Sequence, residues 1–238
     1  MRMIFRCDPA LEQHLPRPVP ARGELPDWLR KMPAKAHSEI HGREIRTVKQ
    51  CPPFVDAMAY GVMIPLPCDV KVDRGAFTWD WDIPQPATVG HPRAPLSFHV
   101  AAQLAGAPLG NAGQAAIKFN SFWTIEIKPG WSLFSTHPVN RTDLPFRTVT
   151  GLVDADRFFD GGINFPAVWT APDFVGVLPK GTPIAQCFAV PREAPELVFE
   201  GFDDAQQASY SKTVADVLAA PNVYRKHFRA RRGHLTRE

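Results

Sequence analysis

At 238 residues, 45% of them hydrophobic, the chain can bury a sizeable core and reads as one domain with trimmings. Its 25 prolines, spread throughout, exclude an architecture of long helices and point to short strands joined by many turns. The net charge of +3 is ordinary for a soluble protein but conceals an asymmetry, because residues 222–238 carry +5 and the remainder −2.

Cys7, Cys51, Cys68 and Cys187 form no C-x-x-C pair and no tight cluster, which argues against a zinc site or a disulfide framework and for reduced, buried thiols. Arg2, Arg6 and Asp8 interrupt any apolar leader, and no stretch approaches the ~20 apolar residues of a membrane span. A soluble cytoplasmic protein is the expectation. Residues 1–50 read as a proline-rich N-terminal extension packed on the body, 51–200 as a β-barrel core, and 201–238 as C-terminal helices with a basic tail.

In chain order, Met3-Ile-Phe5 fits a short strand before the run Pro9, Pro16, Pro18, Pro20 and Pro26, which should drape in an extended form. Leu25 to Met32 fits a short helix with Pro26 early in it and Trp28 as a surface anchor. The charged passage from Lys35 to Lys49 reads as a solvated loop. The paired prolines Pro52 and Pro53 forbid helix before Phe54, after which Phe54 to Tyr60 can make two turns ended by Gly61.

Val62 to Pro67 and Asp69 to Asp73 read as strands, and Phe77-Thr-Trp-Asp-Trp-Asp82 alternates so that Phe77, Trp79 and Trp81 share a face, as in a meander. Asp80 and Asp82 fall on the other face, toward solvent or as a two-carboxylate metal platform. From Ile83 to Gly113 the chain is loop-rich and includes His91, His99 and Gln103.

The middle of the chain carries the most chemistry. Trp123, Ile125 and Ile127 share one face of a strand, and Lys128-Pro-Gly-Trp131 is a turn that should return Trp131 to Ser135 as the second arm of a hairpin. The loop His137-Pro-Val-Asn-Arg-Thr-Asp143 places the donors Asn140 and Arg141 together, which suits a phosphate or carboxylate; an Arg141 ion pair with Asp143 or Asp154 is the competing assignment. Arg147 and Arg157 add positive charge. Asp154 and Asp156, one residue apart, can act on water as a general base or cap a turn.

After Pro191 the pattern turns helical, with Asp203 or Asp204 as the cap of a helix carrying Ala208, Val214, Val217 and Leu218 and closed by Pro221. A second, basic helix from Asn222 to about Arg232 follows, for which a solvated tail is the default and nucleic-acid binding is not predicted.

Four short words in order carry a resemblance: Ile127 to Gly130, His137 to Arg141, Gly151 to Gly161, and Lys180 to Cys187. Together they are similar to the turn, phosphate loop, "G-V-V-D-A-D-Y-x-G" hairpin and closing "K-G-D-R-I-A-Q-L" strand of the dUTPase and dCTP deaminase superfamily. The resemblance covers about 65 residues, between 125 and 190. It implies a mainly β, compact β-clip-like barrel or sandwich, with short peripheral helices and a C-terminal helical segment added by the rest of the chain.

By the same resemblance Asp154 would orient an attacking water and Gln186 would reach phosphate; Asn140, Arg141 and Arg157 are the further donors for the anion, and Asn164 contacts a base or sugar edge or bonds within a turn or ladder. Mg accompanying a phosphorylated ligand, and a homotrimer, are the cofactor and assembly it suggests. Arg157 stands where the family has tyrosine, the loop has no serine, and no glycine-rich arm is present, so a literal dUTPase is not expected. The wider pattern, including Cys51 to Asp56 and Asn164-Phe-Pro166, resembles a family of bacterial and phage proteins that carries no functional implication.

Two further readings stand beside an enzyme acting on a small anionic ligand. His99 and His137 with Glu126 or Asp154 could hold Fe, as in a mononuclear oxygenase on a β-barrel. Alternatively, the barrel is a non-catalytic, ligand-binding or oligomeric protein.

Overall fold

The computed structural model describes residues 1–80, 83–84, 94–109 and 116–230. Trp81, Asp82, His91 and Gly113, and Arg231, Arg232, Arg237 and Glu238 of the basic tail, lie outside the described residues. In chain order, β1 (Ile4–Arg6) is followed by β2 (Val19–Pro20), α1 (Asp27–Lys31), β3 (Lys35–Ser38) and β4 (Arg43–Arg46). Next come α2 (Pro52–Ala59), β5 (Val62–Pro65), β6 (Val70–Asp73), β7 (Ala76–Thr78) and β8 (Leu96–Phe98). The second half holds β9 (Ala116–Phe119), β10 (Thr124–Glu126), β11 (Trp131–Thr136), β12 (Phe146–Thr148) and β13 (Gly151–Val153). It ends with β14 (Phe165–Trp169), β15 (Val175–Leu178), β16 (Pro183–Pro191) and α3 (Asp204–Ala219).

The fold is mainly β, in several antiparallel sheets, with short peripheral helices and a C-terminal helix, as expected. The chain falls into two compact units, one made of Met1–Met32 with Ala57–Arg192 and the other of Pro33–Asp56 with Glu193–Glu238. In the first unit a five-stranded sheet runs β13-β11-β16-β5-β2, a four-stranded sheet β12-β14-β9-β8, and a three-stranded sheet β15-β6-β7; β1 pairs with β10. The paired neighbours are all antiparallel.

Between these sheets lies one core, in which Phe119 and Phe146 meet edge to face at 4.8 Å and Phe77 and Trp169 at 5.0 Å. A second cluster, Leu11, Leu15, Ile83, Phe122 and Trp123, forms where the proline-rich stretch lies against the body, and the Trp123 indole N–H donates to the Pro16 carbonyl at 3.1 Å.

Several local expectations hold for physical reasons. β6 and β7 form the anticipated meander step, closed by Arg74 and Gly75 at φ 44° and 86°, the left-handed pair that a tight hairpin needs. Trp123, Ile125 and Ile127 are all buried.

The expected hairpin between β10 and β11 does not form. β10 takes β1 as its partner, and β11 has both edges occupied by β13 and β16. The Pro129–Gly130 turn is present, with Gly130 at φ 80°, but it is a corner between sheets. Likewise α2 begins at Pro52 and not after the prolines, because a first helical turn has no use for the N–H that proline lacks.

In the second unit, β3 and β4 pair as an exposed hairpin where a loop was expected. No face of that ribbon is buried, so its sequence carries no apolar alternation to read.

Gly61 ends α2 with φ 79°, and a Cβ there would stand 2.3 Å from the Cys187 carbonyl oxygen on β16. Backbone cannot move aside as a side chain can. Gly61→Ala is therefore expected to destabilise the protein by about 2–3 kcal/mol, measured as a urea midpoint shift at unchanged slope.

Candidate functional site

β16 is the central strand of the five-stranded sheet, between β11 and β5, and Ile184, Ala185, Gln186 and Cys187 are all fully buried on it. A buried amide has to find partners for all its polar atoms. The Gln186 Nε2 donates to the carbonyls of Ala57 at 3.0 Å and Tyr60 at 2.6 Å, and Oε1 accepts the Val139 N–H at 2.9 Å. Gln186 thus ties the end of α2 and the 137–141 loop to the sheet, and its amide is occupied by backbone. Cys187 beside it is an inert thiol, pushed up to about 12 by burial.

The 137–141 loop is fastened in the same way. Pro138 to Arg141 is a turn closed by the Arg141 N–H to the Pro138 carbonyl at 3.0 Å, with exposed Asn140 in its left-handed position at φ 60°. The Arg141 guanidinium, 12% exposed, forks onto Asp143, with Nε 2.8 Å from Oδ1 and Nη2 2.9 Å from Oδ2. His137 Nε2 donates to the Arg141 carbonyl at 2.6 Å and Nδ1 accepts the Thr148 N–H at 3.2 Å, so its partners specify one neutral tautomer. Burial holds its pKa below the ordinary histidine value, against the opposing effect of the Arg141 carbonyl.

The other end of the sheet holds a charged cluster. Arg192, just past β16, donates its N–H to the Gly130 carbonyl at 3.0 Å and spreads its guanidinium over two carboxylates. Nη1 lies 3.1 Å from Asp154 Oδ2, while Nη2 pairs with Asp156 Oδ2 and reaches the Trp131 carbonyl at 3.3 Å. Asp154 also accepts from the Ser132 hydroxyl at 2.7 Å, and its side chain is 51% exposed. Asp156 is 6% exposed and accepts the Gly130 N–H at 2.9 Å. Its Oδ1 has no hydrogen-bond partner. Burial acts to raise the Asp156 pKa, but the Gly130 N–H and the Arg192 guanidinium outweigh it and hold the carboxyl below the usual aspartate range.

The two ends are separated. Ser132, beside Asp154, and Thr136, opposite Gln186, are four residues apart on β11, about 13 Å at strand rise. Arg157 and Asn164 are exposed, on the turn after β13 and just before β14. β13 ends at Val153, so Asp154 and Asp156 lie in a turn and not on one face of a strand. A cavity of about 10 Å³, room for one water, sits elsewhere, between Leu15, Pro16, Ile64, Asn120 and Trp123.

The residues of the iron reading are not assembled either. Glu126 pairs with Arg6 at 2.6 Å, His99 Nδ1 bonds Gln103 at 3.1 Å, and both nitrogens of His137 are committed. Among the described residues, no group of three or more His, Cys, Asp or Glu is placed to hold a metal ion. Among the described residues, His99, His137 and Glu126 are thus each held by other partners and not brought together. Lys71 meets Asp80 at 3.2 Å on the surface.

The organising residue that the sequence did not reveal is Arg192. It is the only Lys or Arg between Lys180 and Lys212, a signal that could have singled it out.

No protein-family model matches the chain, and no curated protein matches it. Among solved structures, a dUTPase from phage phi11 of S. aureus aligns with 40% of this chain and 77% of its own at 17% identity and a TM-score of 0.28; that enzyme coordinates a structural Mg(II) ion. The dUTPase of Staphylococcus bacteriophage 80alpha, solved with dUpNHpp, aligns with 42% of this chain and 75% of its own at 18% identity and the same TM-score. The likeness is confined to a segment of this chain.

Two substitutions separate the roles of the two ends. Gln186→Leu removes the fully buried amide that bonds the Val139 N–H and the Ala57 and Tyr60 carbonyls and is expected to cost about 2–4 kcal/mol in denaturant unfolding. Because the folded-state pKa of Asp156 is depressed, its contribution is present above the ordinary value of 3.8 and lost as pH falls below it. Asp156→Asn should therefore be less stable than wild type at neutral pH, and the two should converge on acidification when thermal midpoints are compared across that range.

Proposed function

We propose that this chain is a non-catalytic binding and assembly module on a β-clip-like body, and not a hydrolase. The observation that carries this reading is the bonding of two of the expected anion-holding residues, Arg141 and Gln186, and of His137 in the same loop. Arg141 is neutralised by Asp143, His137 is locked between two backbone groups, and Gln186 is saturated inside the sheet. A ligand anion would have to break these bonds before making its own, and nothing gained at an exposed loop offsets that loss.

A binding role has positive support on the outer face of the five-stranded sheet. Leu152 on β13 lies opposite Phe134 on β11, which lies opposite Phe188 on β16, and Tyr60 stacks on Phe188 at 5.9 Å. Leu152 and Tyr60 are 62% and 56% exposed, so the stripe presents apolar surface to the outside.

A second reading rests on Asp154. Its half-exposed carboxylate is oriented by Ser132 and Arg192, and exposed Arg157 follows three residues later, which suits an anionic ligand with Asp-assisted hydrolysis. Mg would then accompany the phosphorylated ligand.

The two readings separate in a turnover assay. Purified protein is incubated with Mg and a panel of nucleoside triphosphates including dUTP and dCTP, and phosphate or pyrophosphate release is compared with Asp154→Asn. The expected result is release at the buffer rate for both proteins and no thermal stabilisation by any nucleotide. Turnover by the wild type that Asp154→Asn abolishes overturns the non-catalytic reading.

A further inference from the structure

α3 has every local feature of a well-made helix. Asp203 and Gln206 form a reciprocal capping box at its start, and the Ala220 N–H closes its last turn on Asp216 at 3.1 Å. Yet none of its 16 residues is buried. A lone helix of that length is marginal in water, and helices in proteins are stabilised mainly by burying an amphipathic face.

Such a face exists. Tyr210, Val214, Val217 and Leu218 recur at i, i+4, i+7 and i+8 and are 54%, 37%, 50% and 83% exposed. The segment leading into the helix continues the stripe, with Leu197, Val198, Phe199 and Phe202 between 61% and 91% exposed and the Phe202 ring 5.4 Å from that of Tyr210. These eight side chains expose on the order of 900 Å², which is about what each partner contributes to a stable protein interface.

The face is not on a loose tail. Beyond α3, Arg46 of β4 donates to the Asn222 side chain at 2.5 Å. The Arg229 guanidinium forks onto buried Asp56 at 2.9 and 2.6 Å. The far end is thereby fixed within its own unit, with the apolar stretch held out before it.

Charge then identifies what covers it. Glu193, Glu196, Glu200 and Asp203 precede the helix and Asp204 opens it, with no Lys or Arg among residues 193–204, whereas residues 222–230 carry Arg225 and Lys226, besides Arg229 on Asp56, with no Asp or Glu. The stripe is acidic at one end and basic at the other. We propose that it docks on the same stripe of a second copy of this chain, antiparallel, about a two-fold axis crossing the middle of α3. In that orientation each acidic start faces a basic end, and the two contacts are equivalent by symmetry; a parallel pair would set like charges together at both ends. This deepens the assembly reading above but stands on different residues, so the two fail separately.

The test is sedimentation and light scattering of the full chain, with circular dichroism as a check on the helix. The wild type is expected at twice its 26.5 kDa mass. Val214→Glu, in the middle of the stripe and on the surface, should raise the dimer dissociation constant about tenfold or more with the fold retained. Glu196→Lys with Glu200→Lys should weaken the dimer, as should Arg225→Glu with Lys226→Glu, and combining all four should restore it, which only an antiparallel self-contact predicts. A monomer, a trimer, or a dimer indifferent to Val214→Glu overturns the proposal, as does a four-fold variant no tighter than either charge pair alone.

Discussion

A carboxamide in the buried stretch of β16, between Ile184 and Cys187, is the constraint from which the rest of this body follows. Gln186 cannot be left unpaired where it lies, since a buried amide without partners costs more than its bonds return in water. It therefore draws three backbone segments to itself: the end of α2, the Tyr60 carbonyl next to the Gly61 corner, and the 137–141 loop. Gly61 must be glycine for the same close approach, because the chain turns there against the β16 backbone. The loop, once docked, is closed by His137 and by the Arg141–Asp143 pair.

Arg192 does the complementary work at the opposite end of β11. One guanidinium joins the corner at Gly130, the end of β16 and the turn after β13, and it leaves Asp154 half exposed while Asp156 is drawn inside. The positive charge lies within hydrogen-bond reach of Asp156 and, with the Gly130 N–H, favours its ionised form. The sheet is thus pinned at one end by the Gln186 amide and at the other by the Arg192 guanidinium.

These fastenings give the short words of the sequence a structural meaning. Lys180 donates its backbone N–H to Asp69 at 2.6 Å and its ammonium to the His14 carbonyl at 2.8 Å, and Thr148 hydroxyl reaches the Ile184 carbonyl at 2.5 Å. Residues of the closing word Lys180 to Cys187 thus tie distant parts of this body together, which is a packing role that motif order alone does not disclose.

Much of the architecture was legible from local pattern. The scattered prolines, the alternation around Trp123 to Ile127, the short helix near Trp28 and the capped helix after Asp203 depend on neighbours a few residues away, and the chain realises each of them. Partner choice was not legible. Whether β11 pairs with β10 or with β13 and β16, and whether Arg141 faces a ligand or Asp143, depends on which segments meet across the fold. Composition and periodicity determined that this would be a turn-rich β protein with a helical end. Only the tertiary structure decided that Gln186, His137 and Arg141 are internal fasteners, because burial and hydrogen-bond saturation are properties of long-range packing that no local stretch encodes.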